Sequence, residues 1–80
     1  MNISINYFGM IAESTGKSSE KIETAEIRTV NDLRKELVNR YPNLSTYEFK
    51  IAIDANLVED ENEKIKPGAL VALLPPFAGG

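Results

Sequence analysis

Residues 69–76 read ALVALLPP. The unbroken apolar run from Ala69 to Leu74 is what a central strand covered on both faces requires. Lys66-Pro67-Gly68 leads into it in the order a type II turn prefers. Pro75 and Pro76 end it, because neither has a backbone N–H to give to a ladder. The most apolar strand is therefore the last one, and it belongs in the middle of its sheet. Leu74 is the last residue the core is expected to hold.

The strand to lie beside it is the first. Met1 to Phe8, MNISINYF, alternates, with Ile3, Ile5 and Tyr7 on one side and Asn2, Ser4 and Asn6 on the other. Gly9 breaks it, and MIAESTG is a helical turn or two closed by Gly16. KSSEKIETAEI alternates weakly and is rich in charge, which reads as a strand at a sheet edge where Glu and Lys discourage further pairing. The strongest helix is TVNDLRKELVNRYP. Thr29 is a good N-cap and Asp32 completes a shortened capping box. Val30, Leu33, Leu37, Val38 and Tyr41 share one face, and Glu36 and Arg40 pair at i, i+4. Pro42 stops it.

After a loop, FKIAIDANLV can be read in two ways. Phe49, Ile51, Ile53, Ala55 and Leu57 alternate as in one strand, or Asp54 to Asn56 make a tight turn between two short strands. The charge run EDENEKI lacks the spacing and glycine of a calcium loop, so a solvated loop is expected. One long helix with strands before and after it gives an α+β domain, the helix packed across one face of a mixed sheet. With the last strand central beside the first, that arrangement is a β-grasp, the ubiquitin-like fold. The 80 residues suit one domain.

Composition narrows the chemistry. A net charge of −3 disfavours nucleic acid and an anionic membrane surface, while suiting a basic protein partner. The chain has no cysteine and no histidine. A metal site is therefore not expected, nor is nucleophilic or general-base catalysis by the usual side chains. A cytoplasmic home is the natural expectation, with neither signal peptide nor membrane span.

What remains is the end, PPFAGG, residues 75–80. It reads as an exposed, flexible tail able to reach about 20 Å at full extension. Pro75 and Pro76 stiffen its base, Phe77 is an apolar side chain offered to a partner, and Ala78, Gly79 and Gly80 carry almost nothing. Glycine is costly to order, so a tail needing only solubility would use other residues. A thin tail suits threading a narrow channel to present the carboxylate of Gly80. That carboxylate is an anion at neutral pH and a poor electrophile, so it needs activation, most simply as an acyl-adenylate made from ATP by a second enzyme. An amine attacking it would make the chain a protein tag. A sulfur donor would make a thiocarboxylate.

INYFGMIAESTG, with Phe8, Glu13 and Gly16, the helix opening TVNDLRKEL, and the end LLPPFAGG together resemble the sulfur-carrier small subunit family of molybdopterin synthase over essentially the whole chain. The resemblance implies that a ubiquitin-activating-like adenylyltransferase activates Gly80 with ATP and that a 1-thioglycine terminus follows, with no cofactor bound by the chain itself. It implies insertion of the tail into the large subunit of a heterotetrameric synthase, which supplies the catalytic side chains. Sulfur would pass there to precursor Z, cyclic pyranopterin monophosphate. Apolar strand residues join Pro75, Pro76 and Phe77 as expected partner contacts. A thiamine-pathway sulfur carrier, a ubiquitin-like modifier and a plain binding module are the alternatives. Ala12, Ser14 and Thr15 depart from the family pattern in the first helix.

Overall fold

The computed structural model describes residues 2–76. Five strands form one mixed sheet: β1 (Asn2–Tyr7), β2 (Ser19–Glu23), β3 (Lys50–Ile53), β4 (Asn56–Leu57) and β5 (Leu70–Leu74), in the order β2-β1-β5-β3-β4. β5 runs parallel to β1 and antiparallel to β3, so the last strand is central, as its apolar run implies. The helices are α1 (Met10–Thr15), α2 (Val30–Arg40) and a 3-10 segment, Pro42–Thr46, where the sequence suggests only a loop. Pro42 ends α2 but seats comfortably in the first turn of that tighter helix. This is the β-grasp arrangement.

Alternation sets the core. Ile3, Ile5 and Tyr7 from β1, Val71 and Leu73 from β5, and Ile51 from β3 are buried on one face against Val30, Leu33 and Leu37 of α2. Ile11 and Leu44 close the same core from α1 and the 3-10 segment. The apolar run of β5 is covered on one face only. Leu70 is 47 % exposed, and Ala72 and Leu74 are half-buried, because none of the described helices crosses the far side of the sheet.

α2 is fixed at its first turn by two devices. Thr29 Oγ1 accepts the Asp32 N–H, while Asp32 Oδ2 accepts the N–H groups of Thr29 and Arg28. These backbone donors hold the Asp32 carboxyl below its ordinary range. The next free donors, the Val30 and Asn31 N–H groups, go to the carbonyls of Glu63 and Glu61. The acidic run is thus more than a solvated loop. Arg34 grips both Glu61 carboxylate oxygens, donates to the Phe49 carbonyl and lies over the Phe49 ring.

The edge strand β2 is secured through one carboxylate. The register places Glu20 opposite Ile5, hence on the core face. Its Oε2 accepts the hydroxyls of both Tyr7 and Tyr41 at 2.5 Å, with Lys17 on Oε1 and Arg40 beside it. The two tyrosine rings meet edge to face. Burial alone would raise the Glu20 carboxyl, but the Tyr41 and Tyr7 hydroxyls and Lys17 outweigh it and hold it below the usual range. Burial, then the neighbouring carboxylate, pushes the Tyr7 phenol far up, so it remains a donor.

The tight-turn reading of residues 54–56 is the correct one. Asp54 and Ala55 have φ of 48° and 70°, joining β3 to the two-residue β4. Leu57 and Ala55 therefore lie exposed rather than continuing the buried row.

Two stability predictions follow from these contacts. The depressed Glu20 group contributes stability that is fully present above the unfolded-state value of 4.5 and is lost as pH falls through its lower folded-state value. Replacing it, as Glu20→Gln, should cost about 1–3 kcal/mol at neutral pH. The variant should also unfold with a flatter pH profile on the acid side in chemical denaturation. Ala55→Gly relieves a left-handed alanine and should raise stability by about 1 kcal/mol, measured as a higher melting temperature.

Candidate functional site

The place to which the sequence points is the end of β5. The Leu73 carbonyl accepts the Phe8 N–H, so the two parallel strands leave the sheet together. Beyond Leu73 the chain does not become exposed at once. Pro75 is buried, which corrects the expectation of an exposed segment starting there, and Pro76 is half-buried in a turn. The reason is Gly9. It turns out of β1 at φ 55°, ψ −132°, a conformation open to glycine and strained for other residues. A β-carbon built on it would lie 3.1 Å from Pro75 Cγ. The proline ring therefore seats against the N-terminus of α1, and the base of the tail is held by the core. Phe77, Ala78, Gly79 and Gly80 lie outside the described residues.

The base of the tail borders the uncovered face of the sheet. Cα partners across the sheet point the same way, so Asn6, Ala72, Ala52 and Leu57 make one row. Leu74 and Lys50 lie in the next, with Phe8 following Tyr7 out of β1 beside them. Phe8 is 45 % and Leu57 52 % exposed, and with Leu70 they are the large exposed hydrophobic residues among those described. Three such residues on one sheet face, with Phe8 nearest the tail base and Leu70 at the far end of β5, form a contact surface rather than scattered exposure. The sequence reading expected strand residues to touch a partner but did not single out Phe8, Leu57 or Leu70. The available signal was the period of two: in a run such as LVALL only alternate residues can face one helix.

Among the described residues no group of three or more Asp, Glu, His or Cys side chains converges as a metal site would. None of the described helices is long and apolar enough to cross a membrane. The surface grooves lined by Arg34, Lys35, Val38, Asn39 and Pro42, and by Glu26, Asp32 and Glu36, lie along α2 on the helix side of the sheet. What the geometry offers is a strand-borne tail leaving the centre of a rigid sheet beside an apolar face. Those are the features of a β-grasp carrier or modifier domain, whose reactive group is presented to other proteins.

Comparison with known proteins agrees. The chain belongs to the ThiS family, whose model matches residues 5–80. It is 33 % identical to the human molybdopterin synthase sulfur carrier subunit, across 98 % of this chain and 93 % of that protein. Its fold is similar to that of a Pyrococcus furiosus protein assigned as molybdopterin converting factor subunit 1, with a TM-score of 0.86 at 24 % identity, covering 95 % of this chain and 98 % of the other. It is also similar to a chain in the Helicobacter pylori complex of molybdopterin-converting factor subunits 1 and 2, with a TM-score of 0.70 at 23 % identity, each chain being covered in full. At those identities the two structures speak to the fold.

Gly9 and Pro75 give the test of the tail base. Gly9→Val forces a branched side chain into a glycine conformation and against the proline ring. It should lower stability by about 2–3 kcal/mol in denaturant titrations, whereas valine at Gly16, whose β-carbon meets nothing, should cost less.

Proposed function

We propose that this chain is the sulfur carrier of molybdopterin synthase, acting through the carboxylate of Gly80. The observation that carries the reading is the match along nearly the whole chain to a sulfur carrier subunit, together with PPFAGG continuing directly from the central strand. In the first step a ubiquitin-activating-like adenylyltransferase would join the Gly80 carboxylate to the AMP portion of ATP and release pyrophosphate. The mixed anhydride replaces a carboxylate oxygen with a good leaving group. Sulfide attacks the carbonyl and displaces AMP to leave a thiocarboxylate (1-thioglycine); a persulfide donor would instead form an acyl disulfide, which a thiol must reduce to release the same group. Without a β-carbon on Gly80 the carbonyl is open to attack.

The charged carrier then docks on the large subunit through Phe77, Pro76 and the uncovered sheet face. Gly79 and Ala78 are narrow enough to thread a channel. Inside, the thiocarboxylate donates sulfur to cyclic pyranopterin monophosphate while the large subunit supplies the catalytic groups. Each dithiolene needs two sulfurs, so the carrier must leave and be recharged. That requirement favours a modest apolar contact over a permanent one. A heterotetramer of two carriers and two large subunits in the cytoplasm fits this cycle, and no cofactor is held by the carrier.

Reconstitution tests it. Incubation with the activating enzyme, ATP and a sulfur donor should replace one oxygen by sulfur at Gly80, read by intact mass. Deleting Gly80 should abolish dithiolene formation and leave the melting temperature within about 1 °C, since terminal residues carry little of the stability. A Gly80-deleted chain that still supports dithiolene formation overturns the assignment. Stable lysine adducts on other proteins, with no sulfurated form, would instead identify a modifier.

A further inference from the structure

Charge is distributed unevenly over this molecule. Nine basic and twelve acidic residues are spread through 80 positions. On the uncovered sheet face, however, the row Asn6, Ala72, Ala52, Leu57 has none, and the row nearest the tail, Phe8, Leu74, Lys50, has one. Farther from the tail, Lys21 and Glu23 of the edge strand β2 share this face opposite Ser4 and Asn2, and Asp54 is engaged by the Leu70 N–H at 3.0 Å. Lys50 is exposed, and among the described residues it makes no salt bridge. Glu48, exposed two residues earlier, precedes the strand and does not pair with it.

We infer that Lys50 is the charged specificity contact of the docking face, meeting a carboxylate at the edge of an apolar surface on the large subunit. This rests on the sulfur-carrier reading above. An apolar face supplies affinity but little orientation, because hydrophobic contact is non-directional. A charge at its border beside the tail fixes the rotation of the docked carrier. Lys50 is well placed for this, since its backbone pairs with Leu74, two residues before Pro76. Whatever holds its ammonium therefore also sets the direction in which the tail leaves. With the chain as a whole at −3, an acidic partner group would otherwise meet net repulsion. Water excluded by Phe8 and Leu74 would strengthen the pair.

The experiment is calorimetric titration of the full-length carrier into the molybdopterin synthase large subunit encoded by the same genome, at low and high salt. Lys50→Glu should bind roughly tenfold more weakly at low ionic strength, and Lys50→Gln by an intermediate factor. The differences should close at high salt. Thermal unfolding of each free variant should match the parent, because the side chain is exposed. If Lys50→Glu binds with the parent's affinity and salt dependence, the inference is overturned, and Lys50 merely blunts the open edge of β3 beyond the short β4. If the parent chain itself does not bind the large subunit, the functional reading fails and this inference falls with it.

Discussion

The parallel pairing of β1 with β5 is the constraint on which the rest of this domain depends. Ile5 faces Val71 and Tyr7 faces Leu73, and all four side chains are buried under α2. A parallel neighbour cannot be reached by a tight turn, so the intervening chain must wrap the sheet before returning. Residues 8–69 do so, laying α2 across one face and leaving the other bare. Because the returning strand is the last one, the chain leaves from the middle of the sheet and not from its fraying edge. A tail borne on that strand has the most secure base the fold can provide.

The polar contacts serve the same end. Glu20 gathers two tyrosine hydroxyls and two cations at the margin of the sheet, joining β2 to β1, to the end of α2 and to the turn after α1. At the opposite end of α2 the carbonyls of Glu61 and Glu63 take the helix's free donors, and Arg34 holds Glu61 in place. An 80-residue chain without a disulfide has a small core, so these ties at the periphery matter more than they would in a larger protein. They leave the face beside the tail free of internal obligations. One face is thus committed to folding and the other left open, an arrangement that suits the carrier role proposed above.

Much of this was legible from local pattern. The alternation of Ile3, Ile5 and Tyr7, the capping box of Thr29 and Asp32, the Glu36–Arg40 pair and the left-handed Gly16 all stand as the residues suggest. Each depends on neighbours within about four positions, where sequence spacing and spatial distance coincide. The parts misread depend on distant partners. EDENEKI looked like solvent-facing charge because Arg34, some 27 positions away, is not visible in it. Pro75 looked exposed because the glycine that receives it lies at the other end of the chain. ALVALL looked doubly covered because an apolar run does not say how many helices are available to cover it.

The sequence by itself determined all the elements but the 3-10 segment, their order and the central place of the last strand. Without cysteine or histidine, thiol and imidazole chemistry was closed to the side chains. Only the tertiary structure decided which half of that strand's side chains faces outward, how the Pro75 ring seats against Gly9, and that Lys50 stands beside Leu74 as the charge nearest the tail on that face. The physical reason is that alternation fixes two faces of a strand but not which one is covered. That choice is made by where α2 packs and by the register between strands far apart in the chain.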